Sequence, residues 1–148
     1  MDGSMHFEYP IEGGDFFSAG SASSQVKKIL KKLNVDSKII KRVAVALYEA
    51  EVNIVAHAYR GRIFVDINNE KIIILLDDSG PGIADIELAM KAGYSTASPK
   101  VREMGFGAGM GLPNIKKNAD CLNITSEPGK GTKLEITTYL NGTGSSGN

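Results

Sequence analysis

The segment KIIILLD, Lys71 to Asp77, is almost wholly apolar and rich in β-branched residues. It follows RIFVDI across Asn68-Asn69-Glu70, and the two runs read as an antiparallel hairpin. A strand with no polar alternation has no side for water, so it is expected to be central and buried. The rest of the chain must then supply neighbouring strands and a covering layer of helices.

Those elements are legible on either side of the hairpin. Met5 to Ile11 reads as a first strand, ended by Gly13 and Gly14. A helix is expected from near Ser21 to Leu33, because Val26, Ile29, Leu30 and Leu33 recur at helical spacing. Lys27, Lys28, Lys31 and Lys32 line its wet side, as a solvated face or as a partner-docking surface. A longer helix is expected from Asp36, as N-cap, to about Tyr59, with Gly61 placed as its stop. Beyond the DDSGPGI turn come a short helical piece over Asp85 to Met90, a loop, and a helix from Leu112 to about Ala119. CLNITSE and TKLEITTY, joined through Pro128 to Gly131, form a closing hairpin. The sum is an α+β fold, a two-layer sandwich with a mixed, mostly antiparallel sheet and helices on one face.

At 148 residues, 42% hydrophobic and 23% charged, the chain suits one globular domain over residues 5–140. Residues 1–4 precede a second methionine and residues 141–148 read as a flexible tail, so neither end is expected to carry function. Seventeen basic residues balance seventeen acidic ones, which leaves no general electrostatic footprint for nucleic acid or for an anionic membrane. Cys121 is the single cysteine, so a disulfide framework and a multi-cysteine metal site are excluded and a small apolar role is expected. No apolar run reaches the roughly 18 residues of a membrane span, and no signal peptide is evident, so a cytoplasmic protein is expected.

On the wheel of the long helix, Glu49, Asn53 and His57 follow at i, i+4 and i+8 and fall within about 80° of one another. Ile40, Val43, Leu47, Ile54 and Ala58 cluster on the opposite side. A carboxylate can take a proton from a nucleophile, and a carboxamide oxygen is a hard ligand that Mg²⁺ accepts beside phosphates. The stripe therefore suits phosphoryl transfer, with an ordinary wet face as the alternative. Glu51 breaks the pattern by falling on the apolar stripe, which implies a buried pair or a helix edge.

Asp77-Asp78-Ser79-Gly80-Pro81-Gly82-Ile83 follows directly on the apolar strand. A carboxylate at the end of a core strand can sit in a partly dry pocket and accept a hydrogen bond from an exocyclic amine such as adenine's. Gly80 and Gly82 would let a flat ring approach the backbone, although every residue type here also favours a simple turn. Further on, GFGAGMG sets Gly105, Gly107, Gly109 and Gly111 at alternate positions just before a helix. Successive N–H groups of such a loop, with the helix start, form an anion nest. The lysine and hydroxyl of a P-loop are missing and polar SPKVRE stands where a Rossmann strand would be, so a flexible lid over phosphates is the reading, with mere disorder as the alternative.

Together the three segments resemble the histidine-kinase-like (Bergerat) ATP-binding domain, over roughly Val43 to Thr138. The resemblance implies ATP and Mg²⁺ as cofactors. EAEVNIVAHAY would be the box that carries the Mg²⁺-binding Asn53, with catalytic Glu49 one turn earlier and His57 as a further nucleotide contact. DSGPGI would supply the adenine-binding Asp78, with Gly80, Gly82 and Ile83 beside it. Gly105, Gly107, Gly109, Met110, Gly111 and Leu112 would form the lid, and Thr132 of PGKGT would hold adenine through water.

Within the family the chain looks most like the anti-sigma-factor and switch-type serine/threonine protein kinases. A conventional histidine kinase would need a phosphoacceptor histidine on a preceding helix, whereas His6 is expected in a strand and His57 in the Asn53 box. The implied reaction moves the γ-phosphoryl of Mg-ATP to a small STAS-domain (anti-anti-sigma) protein. A sigma factor or a phosphatase as partner, and a homodimer, are compatible with the subgroup. The alternatives are a nucleotide-gated binding protein without phosphotransfer and a stand-alone histidine-kinase catalytic domain.

Overall fold

The computed structural model describes residues 4–83, 85–90 and 111–140. The strands are β1 (Met5–Glu12), β2 (Arg60–Ile67), β3 (Lys71–Ser79), β4 (Cys121–Glu127) and β5 (Gly131–Tyr139). They form one antiparallel sheet in the order β1-β2-β3-β5-β4, so the apolar KIIILLD run is the middle strand. The helices are α1 (Ser21–Lys32), α2 (Ser37–His57), the single turn α3 (Ile86–Ala89) and α4 (Gly111–Lys117). The architecture is the expected α+β sandwich, and every strand pairing among the described residues is antiparallel.

One face of the sheet carries Ile63, Val65, Ile72, Ile74, Leu76, Leu134 and Ile136, and all are buried. Against it lie Val43, Leu47 and Ile54 of α2 and Ile115 of α4, while α1 packs on α2 through Val26 and Leu30. Each such side chain contributes about 1.5–3 kcal/mol through removal from water, so the layer contact dominates stability. Arg42 of α2 bonds Asp120 at 2.9 Å, and the other Asp120 oxygen accepts the Tyr139 N–H at 2.8 Å, which pins the helix to the closing hairpin. Among the described residues, no helix is long and apolar enough to cross a membrane.

Asp36 caps α2 as expected, its carboxylate accepting the Lys38 N–H at 2.9 Å. Gly61 does not end the helix. The chain leaves helical geometry at Ala58, whose φ of −101° and ψ of 168° are extended, and the Tyr59 N–H is taken by the Ser79 carbonyl at 2.8 Å. Gly61 lies within β2, paired with Asp78.

Glu51 is fully buried, and among the described residues it has no cationic partner. Its carboxylate accepts the backbone N–H groups of Gly20, Ala22 and Ser23 at 3.0, 3.1 and 3.1 Å. The N-cap of α1 is Gly20, which has no side chain to offer, so Glu51 caps α1 from α2. Glu51→Ala is expected to lower unfolding free energy by about 3 kcal/mol or more, because buried donors at the start of α1 lose a charged acceptor. Denaturant melts will measure it; a loss under about 1 kcal/mol would mean that water replaces the carboxylate.

Candidate functional site

Glu49, Asn53 and His57 occur along the part of α2 that the core leaves accessible. All three are half-buried, whereas Ala50, Glu51, Val52, Ile54 and Val55 between them are buried. Burial lowers the His57 imidazole below its ordinary value of 6.5, which favours its neutral form in this stripe.

Helix α4 abuts the stripe. Leu112 and Ile115 seat α4 in the core, so the Leu112 side chain, expected in the lid, is committed to packing. On the other side, the Asn114 amide Nδ2 donates to Glu49 Oε2 at 3.4 Å. A Cβ on Gly111 would stand 2.9 Å from Asn53 Oδ1 and 3.0 Å from its Nδ2, so this glycine is what admits the carboxamide. Gly111→Ala is expected to leave the melting temperature nearly unchanged, since a side-chain end can swing away. It should weaken the Mg²⁺-dependent part of ATP binding by about tenfold, the worth of one hydrogen-bond-scale contact. Calorimetry with ATP, with and without Mg²⁺, measures both parts; equal affinities in wild type and variant would remove Asn53 from the metal role.

At the end of β3, Asp78 is half-buried and its Oδ1 accepts the Thr132 N–H at 3.1 Å. Burial raises its carboxyl above the ordinary value, the Thr132 N–H opposes this, and the neighbouring Asp77 charge adds to it. The Thr132 hydroxyl lies 2.8 Å from Ser126 Oγ, and Ser126 Oγ accepts the Ile83 N–H at 2.7 Å. One chain of bonds thus joins Asp78, the β4–β5 hairpin and the DSGPGI loop. The glycines of that loop face the protein's own backbone: a Cβ at Gly80 would meet Ala58 Cα at 2.9 Å. Gly82, with a φ of +75°, approaches so closely that its Cβ would meet the Glu127 carbonyl oxygen at 2.5 Å. They lock the loop against α2 and the hairpin, leaving Asp78 held from both sides.

Gly105, Gly107, Gly109 and Met110 lie outside the described residues. A cavity of about 310 Å³ opens elsewhere, beside Tyr9, Glu12, Asp15, Gln25 and Glu51, and none of the expected site residues lines it. Among the described residues, no group of three or more His, Cys, Asp or Glu side chains is arranged to hold a metal by itself. A carboxamide that shares Mg²⁺ with phosphate oxygens, which Asn53 can provide, needs no such cluster. Asn114 and Ser126 escaped the sequence reading. The register that sets Ser126 opposite Thr132 follows from the hairpin turn and could have flagged Ser126.

A family profile described as "Histidine kinase-like ATPase domain" matches residues 18–138. The chain is 30% identical over 118 residues to the serine/threonine-protein kinase RsbT of Bacillus subtilis (strain 168), covering 77% of this chain and 83% of that protein. It is 32% identical over 124 residues to the anti-sigma F factor of Thermoanaerobacter sp. (strain X514), covering 80% of this chain and 83% of that protein. A solved structure of the RsbU and RsbW domains of Rv1364c from Mycobacterium tuberculosis superposes with a TM-score of 0.61 at 14% identity. That match covers 93% of this chain and 32% of the longer one, and it concerns the fold alone. With a matching profile across most of the sequence, relatives at 30% and 32% identity and the same sandwich in three dimensions, the chain belongs to the histidine kinase-like ATPase domain family.

Proposed function

We propose that this chain is a serine/threonine protein kinase of the anti-sigma-factor type, which binds Mg-ATP and phosphorylates a serine or threonine hydroxyl on a small STAS-domain partner. The observation that carries the reading is the accessible α2 stripe, where Glu49 and Asn53 stand one turn apart and α4 abuts both. The names of the relatives, a serine/threonine-protein kinase and an anti-sigma factor, support it.

In this reading Asp78 accepts the exocyclic amine of adenine, and Thr132, whose N–H already holds Asp78, completes the adenine end. Asn53 directs its carboxamide oxygen to the Mg²⁺ of the nucleotide. The metal, when bound, offsets negative charge on the phosphate oxygens. Glu49 orients the acceptor hydroxyl and takes its proton as the new oxygen–phosphorus bond forms. The bond from the γ-phosphorus to the β,γ-bridging oxygen breaks, and ADP leaves with the electron pair.

The test is incubation of the purified chain with γ-labelled ATP, Mg²⁺ and host lysate. An acid-stable label on a small protein, absent with Glu49→Ala, supports the kinase. An acid-labile label would assign a histidine acceptor instead. ATP binding with no labelled protein would favour a nucleotide-gated partner of a sigma factor or a phosphatase.

A further inference from the structure

Glu49 has a long side chain on a half-exposed stripe, and an unrestrained glutamate keeps about 1.5–2 kcal/mol of rotamer entropy. A general base has to meet the hydroxyl in one geometry, and a misplacement of about 1 Å can cost about 10²-fold in rate. Something must therefore hold the carboxylate. Among the described residues, the side chain that reaches it is Asn114, through Nδ2 to Oε2 at 3.4 Å. The distance is long for a resting hydrogen bond, and catalytic contacts commonly tighten only in the substrate complex.

Asn114 is itself well anchored. Its carbonyl accepts from Asn118 Nδ2 at 2.9 Å and from the Asn118 N–H at 3.2 Å, and the flanking Leu112 and Ile115 are buried. Its chemistry also suits the task. A carboxamide N–H donates to Oε2 without neutralising the carboxylate, as a lysine or arginine would, and it leaves Oε1 to receive the hydroxyl proton.

We propose that Asn114 is a positioning residue for phosphoryl transfer: from α4 it fixes the Glu49 carboxylate and aims Oε1 at the acceptor hydroxyl. The proposal rests on Glu49 being the base. It also makes the seating of α4, the helix that directly follows the glycine-rich segment, a condition for an aligned base.

The experiment uses the full chain with Mg-ATP and compares wild type, Asn114→Ala, Asn114→Asp, Glu49→Ala and the Glu49→Ala/Asn114→Ala double variant. Release or transfer of the γ-phosphoryl is followed under single turnover, with ATP affinity and melting temperature measured beside it. Asn114→Ala is expected to slow the phosphoryl step by about 10–10²-fold with ATP affinity and melting temperature unchanged. Asn114→Asp, nearly isosteric, should fold equally well and be slower still, because a second carboxylate then faces Glu49. The double variant should be no slower than Glu49→Ala alone. In parallel, the ¹⁵N side-chain amide signal of Asn114 should move in Glu49→Ala, a readout that needs no turnover. An Asn114→Ala variant at wild-type rate beside an inactive Glu49→Ala, additive losses in the double variant, or an unmoved amide signal would each overturn the positioning role. A Glu49→Ala variant at wild-type rate would overturn the base assignment itself.

Discussion

Glu49→Ala is expected to slow phosphoryl transfer by about 10²–10⁴-fold, the usual worth of a positioned general base, while Mg-ATP affinity stays within about twofold. The separation follows from where Glu49 stands. Among the described residues its side-chain hydrogen-bond partner is Asn114 of α4, whereas the residues proposed to hold the nucleotide are Asp78 and Thr132 at the end of the sheet and Asn53 one turn along α2. Glu49 is half-exposed and outside the core cluster, so truncation removes no packing layer and the melting temperature should hold. Two measurements decide the matter: calorimetry with ATP and Mg²⁺, and single-turnover transfer to the acid-stable acceptor. If affinity collapses together with transfer, Glu49 shapes the nucleotide site and the base lies elsewhere. If neither changes, the stripe is an ordinary wet helix face.

The fold was readable because its elements follow simple periods. β3 announces a central strand by lacking polar alternation, although only its Ile72, Ile74 and Leu76 face is fully buried and Ile73 and Leu75 opposite are half-buried, and Asp36 announces the start of α2 by its type and place. What escaped reading has long-range causes. Gly61 satisfies the local rule for a helix stop, yet α2 ends earlier, at an extended Ala58, and the Tyr59 N–H goes to Ser79 of β3, some twenty residues further along the chain. Glu51 looked like a misplaced charge because its three donors lie about thirty residues upstream, at Gly20, Ala22 and Ser23. The same limit applies around the candidate site. Glu49, Asn53 and Asp78 stood out by residue type and spacing, but Asn114 and Ser126 gain meaning only when α4 meets α2 and when the hairpin register sets Ser126 against Thr132. Gly80 and Gly82 carried a further ambiguity, since bare backbone serves a ligand and a neighbouring chain segment equally well. Here their free space is filled by Ala58 and by Glu127 and Pro128.

Asp78→Asn is expected to weaken ATP binding by more than about 10²-fold, to an affinity still measurable at high nucleotide concentration, without unfolding the protein. Asparagine can keep its carbonyl oxygen on the Thr132 N–H, which Asp78 Oδ1 accepts at 3.1 Å, so the joint between β3 and β5 survives. Its amide would then face the nucleotide, setting donor against the donor of the adenine amine, and an unpaired polar group in a half-dry site is costly. Calorimetry with ATP and with adenosine should show the same loss, because the defect lies at the base and not at the phosphates. The pH dependence gives the matching signature. Burial raises the Asp78 carboxyl above its ordinary 3.8, so its proton returns at a higher pH than on an exposed aspartate. For folding, this carboxyl favours the native state more as pH falls through the raised value, since the native state then binds the proton more readily than the unfolded chain. Adenine binding has the opposite sign, because it draws on the ionised form and weakens over the same interval. The wild-type affinity minus that of the variant isolates Asp78 from the titration of the nucleotide. That difference should shrink as pH drops toward the raised pKa, whereas a pH-independent difference would mean that Asp78 acts through the loop and not on the base.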